Sequence, residues 1–209
     1  MSKPETPTPA EPAYAERVFR SPAGMAGGVL LLALTVWLGV DAVVRGAGNT
    51  PLFAIATMLV VVPLVVAFTL RPAVFVNDDR IRIRNPFRTV TAPWGRVEEV
   101  RSSYSTEIIT KDGTKYPMWA VPVSLRQRKR ANRQQQKRDR DERAGRQVDR
   151  NLPTPMAQAD RTVGELREFV TARGAASGSQ GEVKAVWAYE LFIPLAVGAV
   201  MLVILFAIA

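Results

Sequence analysis

The side chains that most often carry out chemistry are scarce in this chain of 209 residues, which contains neither histidine nor cysteine. Thiol, imidazole and zinc-finger chemistry are therefore excluded. Carboxylates such as Glu98 and Glu99 remain, but adjacent residues of a strand point to opposite faces and cannot act as a pair. The sequence has no phosphate-binding loop, dinucleotide fingerprint or GxSxG motif. We therefore predict no catalytic residue, no metal site and no cofactor.

The chemistry that this sequence can support is the binding of anions by arginine. The stretch RQRKRANRQQQKRDRDERAGR occupies residues 126–146, and residues 126–150 hold eleven Lys or Arg against four acids, a net charge of +7. Arginine contacts to phosphate need no particular fold. The segment has almost no apolar residues and cannot build a core, so it is either a solvated helix or a disordered insert. In a helix its Lys and Arg are expected on all sides.

Three apolar segments are predicted to cross a membrane: residues 24–44, 51–70 and 186–209. Each has about 20 residues, enough at about 1.5 Å per residue to cross a hydrocarbon core of roughly 30 Å. The first two form a predicted helical hairpin. A cleaved signal peptide is the alternative for the first segment, and its length and the short following loop disfavour that alternative. The residues before it, 1–22, are rich in Pro, Ala, Thr and Glu and are predicted to be a disordered tail.

Basic residues predict how the spans are oriented. They flank the spans on the side of the central segment: Arg17, Arg20, Arg71 and Lys184. The loop between the first two spans contains only Arg45. By the positive-inside rule, the N-terminus and the central segment face the cytoplasm and the C-terminus faces outward. Because Arg outnumbers Lys beside abundant Ala and Val, a bacterial cytoplasmic membrane is the predicted location.

Two acids, Asp41 and Glu190, lie within the apolar segments. An acid inside a membrane suggests a transport or proton-relay site. Both acids, however, are within a turn or two of a predicted span end, and no other ionisable residue lies deeper. They are therefore interpreted as boundary residues whose side chains reach the interface.

Alternating residues predict a small β-rich domain after the second span. Ile81 and Ile83 would point to one side of a strand and the intervening arginines to the other. Asp112 and Gly113 separate two β-rich runs, a strong hairpin signal. About six short strands indicate a small antiparallel sheet or barrel. The segment 162–173 repeats apolar residues at helical spacing and is predicted to close the sheet as a C-terminal helix.

These features together resemble a known family. Two N-terminal spans, the stretch DDRIRIRNPFRTVTAPWGRVEEV, a DG hairpin and a terminal amphipathic helix are similar to the bacterial pleckstrin-homology (PH) domain proteins of actinobacteria, including the low molecular weight protein antigen 6 type. The resemblance covers about residues 15–125 and is firmest over 77–100. It implies a curved antiparallel sheet closed by one helix, a fold that hosts lipid, peptide and protein binders alike. The long arginine-rich insert and the third span depart from the family pattern.

The arginine-rich run is tethered between spans, so it stays near the inner leaflet, where anionic lipid attracts cations within about one Debye length. We predict lipid contact for eight residues: Arg126, Arg128, Lys129, Arg130, Arg133, Lys137, Arg138 and Arg140. A secondary basic face is predicted at Arg80, Arg82, Arg84 and Arg88. Simple solvation and acidic protein remain alternatives. Nucleic acid is disfavoured, because no aromatic residue for base stacking occurs between positions 126 and 161.

The predicted layout has five parts. Residues 1–22 form a tail, 23–70 a membrane hairpin, 71–173 a cytosolic PH-like domain with an insert at 126–155, 174–185 a linker, and 186–209 a C-terminal span. We predict a binding or scaffold protein that docks a protein partner while the insert contacts anionic lipid. The alternatives are a small accessory subunit of a transport complex and a membrane-tethered nucleic-acid binder. The sequence favours no oligomeric state.

Overall fold

The computed structural model describes residues 16–145 and 156–208. Its elements in chain order are strand β1 (Arg17–Phe19), helices α1 (Pro22–Arg45) and α2 (Thr50–Val65), strands β2 (Ala73–Val76), β3 (Arg80–Arg84), β4 (Arg88–Pro93), β5 (Val97–Ser102), β6 (Thr106–Thr110) and β7 (Lys115–Pro117), helices α3 (Leu125–Arg143) and α4 (Gln158–Arg173), strand β8 (Lys184–Trp187) and helix α5 (Tyr189–Ile208). Helix α2 continues as a π-helix over Val66–Leu70.

Three helices are long and apolar enough to cross a membrane, as predicted: α1, α2 with its π-helical continuation, and α5. Helix α2 packs against both α1 and α5. Glycines make these crossings close: a Cβ on Gly28 would lie 2.1 Å from Thr69 Oγ1, and one on Gly39 would lie 2.1 Å from Met58 Sδ. Small residues let membrane helices approach closely, which increases their van der Waals contact.

The strands form two antiparallel sheets. The larger sheet has the order β1-β2-β3-β4-β8, and the smaller has the order β5-β6-β7. In β3, Ile81 and Ile83 are fully buried, whereas Arg80 is exposed and Arg82 and Arg84 are half-buried, which confirms the alternation predicted from the sequence. Residues 16–145 and 156–208 contain eight strands where about six were expected, and the additional strands include the two edges of the larger sheet, β1 and β8.

Both edge strands correct the predicted boundaries. β1 lies inside the predicted disordered tail, where Val18 pairs with Phe75 and Phe19 packs against the core. Residues 1–15 of that tail lie outside the described residues. β8 occupies the end of the predicted linker and the start of the predicted third span, because Val186 pairs with Thr89 of β4. Strands of three or four residues carry too little periodicity to be distinguished from an adjoining tail or apolar helix.

The predicted DG hairpin is present between β6 and β7. Gly113 has φ of +80°, a conformation that glycine adopts without steric cost. The Asp112 carboxylate accepts hydrogen bonds from the Thr110 hydroxyl, from Thr114 N at 3.2 Å and from the Thr114 hydroxyl at 3.0 Å. These hydrogen bonds lower the pKa of Asp112. The ionised carboxylate therefore stabilises the turn.

Helix α4 closes the domain, as predicted for residues 162–173. Its Val163 and Leu166 are buried against the sheets. Phe169 stacks on the fully buried Trp94, with ring centroids 5.5 Å apart and planes at 15°. The indole Nε1 of Trp94 donates to the Asn77 carbonyl at 2.9 Å, which satisfies its only polar atom. Trp94 thereby joins the larger sheet to α4.

Candidate functional site

All three apolar helices join the larger sheet at one end. β1 leads into α1 after Phe19, α2 leads into β2 at Ala73, and β8 leads into α5 after Trp187. The antiparallel register places these three positions at the same end of their strands. We call it the span-proximal end. Any surface at this end lies close to the helices that can cross a membrane.

The connecting segments of both sheets reach the span-proximal end. In the β3–β4 turn, Asn85 Nδ2 donates to the Pro117 carbonyl at 2.7 Å, and Asn85 Oδ1 accepts from Trp119 N at 3.2 Å. Met118 N donates to the Thr106 carbonyl at 2.8 Å, which brings the β5–β6 turn to the same end. The turns and the segment after β7 therefore face the apolar helices together.

Aromatic rings join the sheets to these helices. Phe68, at the end of α2, contacts Phe87 with ring centroids 5.4 Å apart and Trp119 at 5.5 Å, both edge to face. Phe87 also lies 5.4 Å from Phe192 of α5, which in turn lies 6.3 Å from Trp187. Aromatic pairs contribute about 0.5–1.5 kcal/mol beyond their buried area. The rings therefore hold the sheets against the helices.

Arg71 is the polar counterpart of the aromatic contacts. Its Nη1 donates to Glu190 Oε1 at 3.0 Å, its Nε to the Asn85 carbonyl at 3.2 Å, and its Nη2 to the Thr89 hydroxyl at 3.4 Å. One side chain thus ties the end of α2 to α5 and to the β3–β4 turn. In the sequence, Arg71 indicates only the orientation of the spans, because no local spacing connects it to an acid 119 residues away.

Both acids of the apolar segments have arginine partners at helix ends. Glu190, in the first turn of α5, pairs with Arg71, and Asp41 pairs with Arg45 one turn later at 3.1 Å. Pairing with a cation at a helix end lowers the cost of placing an acid there. These positions suit the boundary role expected from the sequence.

The arginine-rich segment forms helix α3, so the helical alternative holds from Leu125 to Arg143. Residues 146–155 of the predicted insert lie outside the described residues. The Ser124 hydroxyl caps α3 by accepting from Gln127 N at 3.3 Å. None of the α3 residues is buried, so the helix does not form by covering an apolar face. Its 19 residues span about 28 Å.

The exposed cations of α3 concentrate on one side of the helix. At about 100° per residue, an arc of roughly 80° holds five exposed basic residues. We call them the basic stripe: Arg126, Arg130, Arg133, Lys137 and Arg140. Lys129 is exposed beside the stripe, whereas Arg128 and Arg138 are partly buried on other sides of the helix. Counted with Arg128 and Arg138, the Lys and Arg of α3 lie on all sides of the helix, as expected, but the exposed ones are concentrated on one side.

Arg128 anchors α3 to the domain. Its guanidinium donates to both carboxylate oxygens of Asp160 in α4, at 2.5 to 3.2 Å. It also donates to the Ser103 carbonyl at 2.9 Å, the Ser102 carbonyl at 2.9 Å and the Ser102 hydroxyl at 2.7 Å. The hydrogen bonds with Asp160 raise the pKa of Arg128 above its ordinary value. Among the predicted lipid contacts, Arg128 is therefore occupied by the fold itself.

Repulsion between cations opposes helix formation along the basic stripe. Its first turn contains no acid, and each cation near a helix N-terminus costs about 0.3–1 kcal/mol. Successive stripe residues are three or four positions apart, so each neighbouring pair repels by about 0.2–0.5 kcal/mol. The stripe thus carries a positive charge that a nearby anionic surface would offset.

The secondary basic face is only partly as predicted. Arg80, Arg82 and Arg84 lie on the outer face of the larger sheet, opposite the buried isoleucines of β3. Arg88 does not share that face. Arg88 lies on the same face of β4 as the buried Val90, opposite the exposed face of the strand. Its guanidinium lies 5.7 Å from the centre of the Tyr116 ring. The β3–β4 turn changes the phase of alternation between the two strands, which the sequence did not reveal.

The carboxylates considered for acid–base chemistry do not form a site. The register of β5 shifts between Val97 and Glu99, and both Glu98 and Glu99 are exposed instead of alternating strictly. Within residues 16–145 and 156–208, no three residues among His, Cys, Asp and Glu approach closely enough to hold a metal ion. The side chains gathered at the span-proximal end are aromatic and cationic, a combination suited to binding.

The comparison with known families agrees with this geometry. Residues 71–147 match the family model of the bacterial PH domain. The antiparallel sheets and the helix that follows them thus form a PH-like domain, as the sequence resemblance implied. The match extends through α3, so the arginine-rich helix lies inside the matched residues. No curated protein and no solved structure shows significant similarity to the chain. The actinobacterial origin and the antigen 6 type stay predictions.

Proposed function

We propose that this is an integral membrane protein whose PH-like domain docks a protein partner on the cytoplasmic side, assisted by contact between α3 and anionic lipid. The proposal rests chiefly on one observation. The basic stripe belongs to a helix that begins at the span-proximal end of the domain, beside three helices of membrane-spanning length. A PH-like fold is a binding scaffold, and its position here would present bound partners at the membrane surface.

Two contacts support the position of α3. Arg128 is bonded to Ser102 and Ser103 at the β5–β6 turn, which belongs to the span-proximal end. The start of α3 also shares a cavity with the start of α1, because Pro22 and Gln127 line it together. The first turns of α3 would therefore lie near the level at which α1 enters the bilayer.

The charge on the stripe is large enough to matter. Each Lys or Arg near an anionic surface contributes about 1 kcal/mol, so five exposed cations would contribute up to about 5 kcal/mol at low ionic strength. The attraction falls off within a Debye length of about 8–10 Å at physiological salt. Because the helices already tether the domain, the effect of lipid would be to orient α3 rather than to recruit the protein.

The cytoplasmic orientation is supported by the charges that flank the helices. Arg20 precedes α1, Arg71 follows the π-helical end of α2, and Lys184 lies in β8 before α5. The short loop between α1 and α2 has no cation, and the nearest one, Arg45 at the end of α1, is paired with Asp41. The positive-inside rule then favours the cytoplasm for the PH-like domain.

The outer face of the larger sheet is the surface best suited to a protein partner. Val18 and Val186 are 48% and 63% exposed there, with Phe75 and the arginines of β3 on the strands between them. Interfaces are enriched in aromatic residues and arginine relative to other surfaces. The two alternatives predicted from the sequence have less support. The acids that a transport subunit would use are paired at helix ends, and α3 has no aromatic residue with which a nucleic-acid binder would stack on bases.

The lipid contact can be tested with labels, because the chain has no cysteine of its own. The full chain carrying Arg133→Cys and a spin label would be reconstituted in nanodiscs of neutral or anionic lipid. We expect the label to approach the bilayer in anionic nanodiscs at low salt and to move away as salt is raised. A label at Lys111→Cys, in the DG turn at the opposite end, is the matched control and should not respond. Equal accessibility at position 133 in both lipids would refute the contact.

A cross-linking experiment tests the partner. A photoreactive amino acid would replace Val186 on the outer face, and a matched variant would carry it at Lys111. In intact cells, we expect position 186 to give a discrete adduct that position 111 does not give. Absence of adducts from position 186, and from Val18 on the same face, would remove the docking role while leaving the lipid contact to the nanodisc experiment.

A further inference from the structure

A second group of arginines lies apart from α3, where the larger sheet meets α1 and α2. Arg20 immediately precedes the capping residue of α1, Arg71 directly follows the π-helical end of α2, and Arg84 is the last residue of β3 at the span-proximal end. Arg82 lies on the same face of β3 as Arg84, two residues farther from the span-proximal end. The register sets Phe19 opposite Val74 and Ala73 opposite Arg84, so Arg20, Arg71 and Arg84 lie near neighbouring ends of β1, β2 and β3. Burial and the charges of Arg71, Arg82 and Arg20 lower the pKa of Arg84, and the charge of Glu190 opposes that shift.

The acids near this cluster do not balance it. Glu190 pairs with Arg71 at 3.0 Å, and Glu16 pairs with Arg82 at 3.1 Å. The guanidinium groups of Arg20 and Arg84 form no hydrogen bond or ion pair with any residue that the structure describes. Two positive charges are therefore left over in one place. Like charges gathered in a partly buried setting are destabilising unless an anion joins them.

Three of the four side chains, those of Arg71, Arg82 and Arg84, are also held in defined positions. The guanidinium groups of Arg82 and Arg84 lie 4.5 Å and 5.2 Å from the centre of the same Phe75 ring. Arg71 is fixed by its bonds to Asn85 and Thr89. The Nε of Arg82 is buried and has no hydrogen-bond partner. Guanidinium groups held by ring stacking keep N–H donors free at their edges, the geometry that binds a phosphate group through paired hydrogen bonds.

We propose that Arg20, Arg71 and Arg84 bind the phosphate group of an anionic lipid from the leaflet on the domain's side. Arg20 and Arg71 lie directly outside the ends of two apolar helices, which is the level of lipid phosphates if those helices cross the bilayer. The inference rests on the proposed function only in placing the span-proximal end at the membrane surface. It involves none of the residues of the basic stripe.

The site would hold one lipid, in contrast to the diffuse contact of α3. Arg84, without an ion-pair partner, would bind the phosphate, and Arg20 would close the site from the start of α1. Arg71 would share its charge between Glu190 and the lipid. Because the site bridges α1, α2 and β3, a bound lipid would also fix the domain relative to the helices.

Native mass spectrometry of the full chain, released from detergent micelles, tests the site. The chain would be titrated with dioleoyl phosphatidylglycerol and, in parallel, with dioleoyl phosphatidylcholine. We expect one phosphatidylglycerol to be retained in preference to phosphatidylcholine. Arg84→Gln and, separately, Arg20→Gln should each weaken that binding about tenfold or more, because each removes charge-assisted hydrogen bonds to the phosphate. Arg80→Gln is the matched control, on the same strand and face at the far end, and should not change it.

The outcomes separate this proposal from its rivals. Equal retention of both lipids, or equal binding by the wild type and both variants, would overturn it. Displacement of the lipid by inorganic phosphate at similar concentration would show that a soluble anion is the ligand and would also overturn it. A variant with all five stripe residues changed to glutamine should keep the lipid. The nanodisc response would be followed with the label at position 133 and the other four stripe residues changed to glutamine. Loss of that response while the lipid is kept shows that the two contacts are independent. Arg20→Gln guards against misfolding of the Arg84 variant.

Discussion

Replacing Arg128 by glutamine is expected to unwind the first half of α3 while leaving the PH-like domain folded. Arg128 is the side chain that bonds the start of α3 to both α4 and the β5–β6 turn. Its substitution would leave Asp160 and the two serine carbonyls without their cationic donor. Nothing apolar holds α3 in its place, since none of its residues is buried.

The expected size of the effect follows from the contacts. Hydrogen bonds to charged groups contribute about 1.5–3 kcal/mol, and the Arg128 and Asp160 side chains are 24% and 32% exposed, so we expect the lower part of that range. Repulsion within the four neighbouring pairs of the stripe opposes this stabilisation and costs about 1–2 kcal/mol in total. Most of the stability of a helix in a protein comes from tertiary packing, and α3 has no buried residue to supply it. Losing about 2 kcal/mol should therefore shift α3 from mostly helical to mostly unwound.

Hydrogen exchange of the full chain in neutral nanodiscs would measure this change. Amides of residues 126–135 should exchange at least tenfold faster in Arg128→Gln, whereas those of α4 and of the larger sheet should keep wild-type protection. Lys129→Gln removes the same charge from the neighbouring exposed position and serves as the control. Unchanged protection of α3 in Arg128→Gln would refute the argument that this tether maintains the helix.

Three further predictions follow from the fold. Gly28→Ala should destabilise the helix bundle by about 1–3 kcal/mol in thermal unfolding in detergent, because the added Cβ would clash with the neighbouring helix. Gly27→Ala, with open space around it, should be neutral, and equal effects of the two substitutions would contradict the close crossing. Trp94→Phe should cost about 1–3 kcal/mol in the same assay, because it leaves the Asn77 carbonyl without its donor, and a silent substitution would contradict that hydrogen bond. Hydrogen bonds lower the pKa of Asp112 below 3.8, so the stabilisation that its carboxylate gives the turn is complete above about pH 3.8 and is lost as pH falls through the lowered pKa. Asp112→Asn should remove this pH dependence of the amide protection of the hairpin. A pH dependence that persists in Asp112→Asn would exclude Asp112 as its source.

The local sequence pattern was sufficient to predict those helices, strands and turns that are determined by their own residues. Apolar runs of about 20 residues predicted the three membrane-length helices, because length and hydropathy alone decide that property. Strict alternation predicted the burial of Ile81 and Ile83, and helical spacing predicted the α4 face that covers the sheets. The DG pair predicted its turn because glycine accepts the required positive φ. In each case the signal lies in the residues of the element itself.

What only the tertiary structure decided involves residues far apart in the chain. The short edge strands β1 and β8 form because β2 and β4 of the larger sheet pair with them. Their own sequences therefore did not distinguish β1 from a tail or β8 from a linker. Arg71 meets Glu190 across 119 positions, and Arg128 meets Asp160 across 32. The sequence determined a positively charged protein with three apolar helices and a β-rich domain. Folding decided which arginines of the described residues are paired within the structure and which are not, because pairing depends on distances that only the folded chain sets.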